Sequence, residues 1–165
     1  MSLQISILQT PGVDLPPHRA SLGVPAFNDP RANLVIAEDN ELLRDLLAFE
    51  LTARGYFVRC AEDGESGWES LTSAPFDLLI TDQDMPRLTG LDLLRRMRAS
   101  SLHQPAILMS GNLPQLSPEV EALLSPGAAL GKPFSFTDLF PKIEALLGLN
   151  RSGAIPHRVD HLTPV

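Results

Sequence analysis

Phe76-Asp-Leu-Leu-Ile-Thr-Asp-Gln-Asp-Met-Pro86 is a short apolar run that ends abruptly in acids and a proline. Leu78, Leu79 and Ile80 follow one another without polar alternation. A strand with one wet face alternates with period two, so this one reads as covered on both faces. Three other runs share the pattern: Leu34-Val-Ile-Ala37, Ala106-Ile-Leu-Met109 and Ala128-Ala-Leu130. Tyr56-Phe-Val-Arg-Cys60 reads as a further strand.

The segments between these runs carry helical periodicity. Leu42, Leu43, Leu46, Leu47 and Leu51 form one apolar stripe, and Phe136, Leu139, Phe140, Ile143, Leu146 and Leu147 form another. Helix starts are marked by Thr89 with Asp92 and by Ser135 with Asp138, which match the capping box, and by Ser117 before Pro118. Gly55 suits a helix end that needs a left-handed residue. Strand and helix alternate five times. Right-handed crossovers then give a doubly wound, five-stranded parallel sheet in the order 2-1-3-4-5, an α/β fold of the flavodoxin-like type.

The 165 residues are 44% apolar and 20% charged, which describes one ordinary globular domain. Five of the fifteen prolines fall in residues 1–32 and two more in 150–165, and neither flank shows an apolar period. The expected organisation is a Pro-rich, mostly irregular extension over 1–32, a folded domain over 33–149 and a tail over 150–165. The flanks are nearly neutral, so the net charge of −7 belongs to the folded part. That balance argues against a protein that grips nucleic-acid backbones or anionic membranes. A single cysteine, Cys60, excludes an internal disulfide and points to a reducing cytoplasm. No stretch approaches a membrane span, and the N-terminus lacks the features of a secretory signal.

In open α/β sheets the site lies beyond the carboxyl ends of the strands. The first strand ends in Glu38-Asp39, the third in Thr81-Asp82, the fourth in Ser110 and the fifth in Gly131-Lys132-Pro133. Three carboxylates on one edge repel each other unless a cation joins them. Magnesium suits the set, because it prefers oxygen and commonly shares a phosphate oxygen with its carboxylates. Lys132 would neutralise charge on a transferring phosphoryl group, Ser110 would donate a hydrogen bond to it, and Asp82 would be the nucleophile. Taken singly, Glu38-Asp39 is an ordinary loop pair, Asp82 and Ser110 are turn residues and Lys132 is a solvated charge. Their joint placement at successive strand ends favours the site. By contrast Cys60 reads as a buried strand residue, Trp68 as a packing residue, and Arg95, Arg96 and Arg98 as a solvated helix face. The four histidines are too scattered to nominate a metal cluster, and no nucleotide-binding glycine motif appears.

Over residues 33 to about 149 the sequence resembles the receiver domain of bacterial two-component response regulators. The resemblance rests on four motifs in order: Leu34-Val-Ile-Ala-Glu-Asp-Asn40, Asp77-Leu-Leu-Ile-Thr-Asp-Gln-Asp-Met-Pro86 with Gly90 after it, Ile107-Leu-Met-Ser110, and Gly131-Lys-Pro-Phe134. It implies that Asp82 accepts a phosphoryl group from a phosphohistidine on a histidine kinase or phosphotransfer protein. It also implies magnesium held by Asp39, Asp82 and the backbone carbonyl of Asp84, with Glu38 acting through water. Ser110 and Lys132 would contact the phosphoryl oxygens, Asp84 and Asn112 would tune hydrolysis, and the Lys132–Pro133 bond would be cis. One departure stands out. Ala129 lies where relatives carry an aromatic switch residue, and Pro114, Pro118 and Pro126 suggest a short fourth helix.

The resemblance makes this a phosphoacceptor signalling protein rather than an enzyme with a turnover substrate. The expectation is a stand-alone, cytoplasmic receiver that signals by protein contact through the face of helix 4, strand 5 and helix 5, which also offers a route to a homodimer. No nucleic acid or membrane partner is expected. Two rivals are a phosphorylation-independent binding module on the same fold and a haloacid-dehalogenase-like phosphatase. The second is suggested by Asp82-Gln-Asp84, but its acidic pair should follow the lysine, whereas Glu38-Asp39 precedes the nucleophile.

Overall fold

A computed structural model describes residues 31–112 and 117–148. Five strands, β1 (Asn33–Ala37), β2 (Phe57–Ala61), β3 (Leu78–Asp82), β4 (Ala106–Ser110) and β5 (Gly127–Gly131), alternate with α1 (Glu41–Ala53), α2 (Gly64–Ser73), α3 (Gly90–Ala99), α4 (Pro118–Leu124) and α5 (Phe136–Leu146). All neighbours are parallel, and the order is β2-β1-β3-β4-β5. This is the doubly wound sheet expected from the apolar runs. Residues 1–30 of the expected irregular extension, Pro114 and the whole expected tail over 150–165 lie outside the described residues.

Each central strand is sealed on both faces. Leu34, Ile36, Leu78, Ile80, Ile107 and Met109 pack with Leu47, Leu51, Leu139 and Ile143 on the side of α1 and α5. Val35, Leu79 and Leu108 pack with Leu71, Leu93, Leu94, Met97, Val120 and Leu124 on the side of α2, α3 and α4. Burying each large side chain contributes about 1.5–3 kcal/mol, which explains the unbroken apolar runs. No helix among the described residues is long and apolar enough to cross a membrane.

The anticipated helix signals are realised. Thr89 accepts from the Asp92 amide at 3.2 Å and donates to its carboxylate, Ser135 and Asp138 close a capping box, and Pro118 opens α4 behind Ser117. Gly55 has φ 87 just beyond α1. At seven residues α4 is short.

Three expectations need correction. The leucine stripe of α1 splits in two: Leu43, Leu47 and Leu51 turn inward, while Leu42 and Leu46 face solvent beside Phe49. Five leucines cover a wider arc than the sheet can bury on a helix of 3.6 residues per turn. Cys60 is exposed, because β2 is an edge strand with incomplete cover. Arg98 leaves the solvated face of α3, and its guanidinium donates to the carbonyls of Leu102, Gln104 and Leu123 at 2.8–3.0 Å. Trp68 does pack against the α2–α3 side, with Arg96 over its ring at 4.6 Å.

Gly90 ties the fold to the strand ends. A Cβ there would overlap the Asp82 carbonyl and crowd the Leu108 side chain. Gly90→Ala is therefore expected to lower stability by roughly 1–3 kcal/mol, measured by urea unfolding, because α3 and the end of β3 must separate. A cost below about 0.5 kcal/mol would show that the contact is soft.

Candidate functional site

The parallel sheet brings the polar strand ends to one edge. Glu38 and Asp39 follow β1, whose register sets Ala37 against Thr81, so they stand beside Asp82 at the end of β3. Asp82 pairs with Met109, which places Ser110 next along β4, and Ser110 pairs with Gly131 before Lys132. The side chains of Glu38, Asp82 and Ser110 are buried, whereas Asp39 is exposed.

Carboxylate oxygens of Glu38, Asp39 and Asp82 lie within 4.8 Å of one another. The Lys132 ammonium closes the cluster, with Nζ 2.8 Å from Glu38 Oε2 and 2.9 Å from Asp82 Oδ1. Burial pushes the Glu38 carboxyl above its ordinary range; the Lys132 hydrogen bond opposes this and the neighbouring Asp82 charge adds to it. Burial pulls the Lys132 ammonium down, but hydrogen bonds and charge from Glu38 and Asp82 outweigh it and hold the lysine above its ordinary value.

The backbone around the cluster is tightly pinned. Asn40 caps α1 by accepting from the Leu43 amide at 3.1 Å, and its own amide donates to Glu38 Oε1 at 3.2 Å. The Gln83 amide donates to the Met109 carbonyl at 2.8 Å, and Gln83 Oε1 accepts from the Leu91 amide at 3.2 Å. The Lys132 amide donates to the Ser110 carbonyl at 2.7 Å, and the Lys132–Pro133 bond is cis. The Ser125–Pro126 bond is also cis, with no cue in the sequence.

Of the remaining candidates, Asp84 and Asn112 are exposed, and the Asn112 amide donates to Ser110 Oγ at 3.2 Å. Ala129 lies on β5, half-buried against the α2–α4 side of the core. Arg44 was missed. Its guanidinium donates to the Glu38 carbonyl at 2.8 Å and to that of Asp39 at 3.4 Å, bracing the acidic pair. An arginine in a charged helix reads as a solvated side chain, and only the fold turns it toward the strand end.

Residues 34–144 match the response regulator receiver domain. The chain belongs to that family. Over 128 residues the receiver is 34% identical to the response regulator protein PmrA of Pseudomonas aeruginosa, covering 76% of this chain and 57% of PmrA. It is 32% identical over 116 residues to the transcriptional regulatory protein QseB of Haemophilus influenzae, covering 69% and 52%. It thus spans little more than half the length of these two relatives. Among solved structures the receiver resembles response regulator TrrA of Thermotoga maritima in complex with Mg2+ and BeF, at TM-score 0.63 and 28% identity over 70% of this chain and 98% of that one. The chemotaxis response regulator CheY4 of Vibrio cholerae gives TM-score 0.64 at 25% identity, covering 70% and 98%.

The donor set of the receiver fits a hard divalent cation. Three carboxylates face one ammonium, and oxygen is the ligand type magnesium requires. Asp39→Asn is expected to unfold at a temperature higher by roughly 3 °C in chelator, because about 1 kcal/mol of like-charge repulsion is removed. The same variant should lose most of the rise that magnesium gives the wild type. Differential scanning calorimetry with and without magnesium measures both effects. An unchanged response to magnesium would remove Asp39 from the ligands.

Proposed function

We propose that this receiver accepts a phosphoryl group on Asp82 from a phosphohistidine of a histidine kinase or phosphotransfer protein, and that it signals by protein contact. The observation that carries the reading is the closed cluster at the sheet edge: Asp82 beside Glu38 and Asp39, with Lys132 bridging Glu38 and Asp82. A carboxylate held beside an ammonium, with two further acids placed to share a cation with it, is suited to attack phosphorus.

In this reading a carboxylate oxygen of Asp82 attacks phosphorus in line. The P–N bond of the donor breaks and its electron pair leaves with the imidazole, which takes up a proton. Lys132 turns from its carboxylates to the incoming oxygens, and the Ser110 hydroxyl donates to one of them. Asp39, Asp82 and the Asp84 carbonyl would hold magnesium, with Glu38 acting through water, and the bound ion would neutralise charge on the transferring group. Later, water attacks the acyl phosphate and releases inorganic phosphate, with Asp84 and Asn112 at the mouth of the site to tune that step.

Two surfaces serve the partners. Leu42, Leu46 and Phe49, exposed by 83%, 47% and 70%, form an apolar stripe on the outward face of α1, directly after Asp39. Its position beside the pocket suits docking of the phosphoryl donor. The face of α4, β5 and α5 is our reading of the output surface, including any homodimer. With Ala129 in place of an aromatic, the response there rests on Ser110, the loop after it and the short α4.

The test is incubation with phosphoramidate and magnesium, followed by intact mass. One Mg-dependent phosphoryl adduct per chain is expected, and none in chelator. Failure of the wild type to gain the adduct from either phosphoramidate or a phosphorylated phosphotransfer protein would favour a phosphorylation-independent binding module. Catalytic hydrolysis of small phosphomonoesters would overturn the reading in favour of a phosphatase.

A further inference from the structure

Arg87 sits in the turn between β3 and α3 with φ 66, a left-handed conformation that non-glycine residues rarely adopt. What holds it there is visible on α2. The Arg87 guanidinium pairs with Asp63 Oδ2 and lies 3.6 Å from Glu62. The Asp63 side chain is fully buried, and its other oxygen caps α2 by accepting from the Ser66 amide at 2.8 Å. A buried carboxylate without a cation is strongly unfavourable, so the pairing is enforced on the loop. The next residue, Gly64, has no room for a Cβ, which would overlap the Leu88 backbone carbonyl. Arg87 and Leu88 are thus both seated on the first turn of α2.

The same loop is fastened at its ends, where the Gln83 amide donates to the Met109 carbonyl and the Gly90 amide donates to the Gln83 carbonyl at 3.1 Å. Asp84 lies between these fastenings. Arg87 also lines a cleft of about 450 Å³ together with Asp39 and Arg44. We infer that Arg87 is a positioning residue for the cation site: its pairing with Asp63 fixes the loop that carries the Asp84 carbonyl. This rests on the proposed function, which assigns that carbonyl to magnesium.

Electrostatics and positioning predict opposite signs. Removing a cation that shares a cleft with Asp39 should tighten magnesium if only charge mattered. Loosening the loop should weaken it, by about tenfold for a residue that orients a ligand without touching the ion. The test is isothermal titration of the full, unphosphorylated chain with magnesium chloride, with circular dichroism to confirm folding. Arg87→Gln is expected to raise the dissociation constant about tenfold, and Arg87→Lys to recover part of the loss. Should Arg87→Gln fail to fold, the double variant Asp63→Asn/Arg87→Gln, which buries no lone charge, is expected to show the same weakening. Wild-type or tighter affinity in whichever of these variants is folded overturns the inference while leaving the proposed function intact. Wild type that binds no magnesium overturns both.

Discussion

Asp82→Asn is expected to take up no phosphoryl group under conditions where the wild-type chain gains one, a loss on the order of 1,000-fold or more in rate. An amide oxygen is a poor nucleophile, and the exposed carboxylate of Asp39 is not the oxygen held by Lys132. The variant should still fold. It removes one charge from a mutually repelling trio and leaves the Lys132–Glu38 bond at 2.8 Å in place. The comparison therefore isolates chemistry from stability. Intact mass after phosphoramidate treatment reads the first and thermal unfolding reads the second. Equal labelling of both proteins would take the acceptor role away from Asp82.

Lys132→Ala is the second large effect, and it acts on both properties. Lys132 is 24% exposed and bridges two carboxylates whose side chains are 1% and 7% exposed. Removing it strands two buried negative charges, which costs about 3 kcal/mol or more in chelator, measured by urea unfolding. Magnesium should recover part of that loss, because an ion held by the same carboxylate cluster returns positive charge beside Glu38 and Asp82. Phosphorylation should nevertheless remain slower by about 100-fold or more, since no ammonium meets the phosphoryl oxygens. Glu38→Gln in the same background should restore stability without restoring the rate. A Lys132→Ala protein that labels at the wild-type rate would assign the lysine to the fold alone.

How much of this was readable in advance varies by residue. The runs at Leu34, Leu78 and Ala106 announced strands covered on both faces, because a parallel strand can exclude water only by being apolar throughout. The cap at Thr89 announced the start of α3, because an N-cap hydroxyl satisfies the Asp92 amide from three residues away. The cluster of Glu38, Asp39, Asp82, Ser110 and Lys132 could be collected because all parallel strands end on the same side.

Other features had no local signature. Leu42 and Leu43 are chemically identical neighbours, yet one is 83% exposed and the other packs against the core. Arg98 and Arg96 lie on one helix, and only Arg98 finds carbonyls at the foot of α4 and β4. Arg44 and Arg87 carry no local cue, and only the fold sets one beneath Glu38 and the other on Asp63.

The division has a physical cause. Strand burial, helix phase and capping depend on groups a few residues apart, so the chain itself determined the alternation, the sheet and the edge at which its polar residues gather. Which arginine braces a carboxylate, which leucine meets water and whether Lys132 bridges Glu38 to Asp82 depend on approaches between segments as far apart as 94 residues. Those approaches have no energy until the sheet closes, and only the tertiary structure decided them.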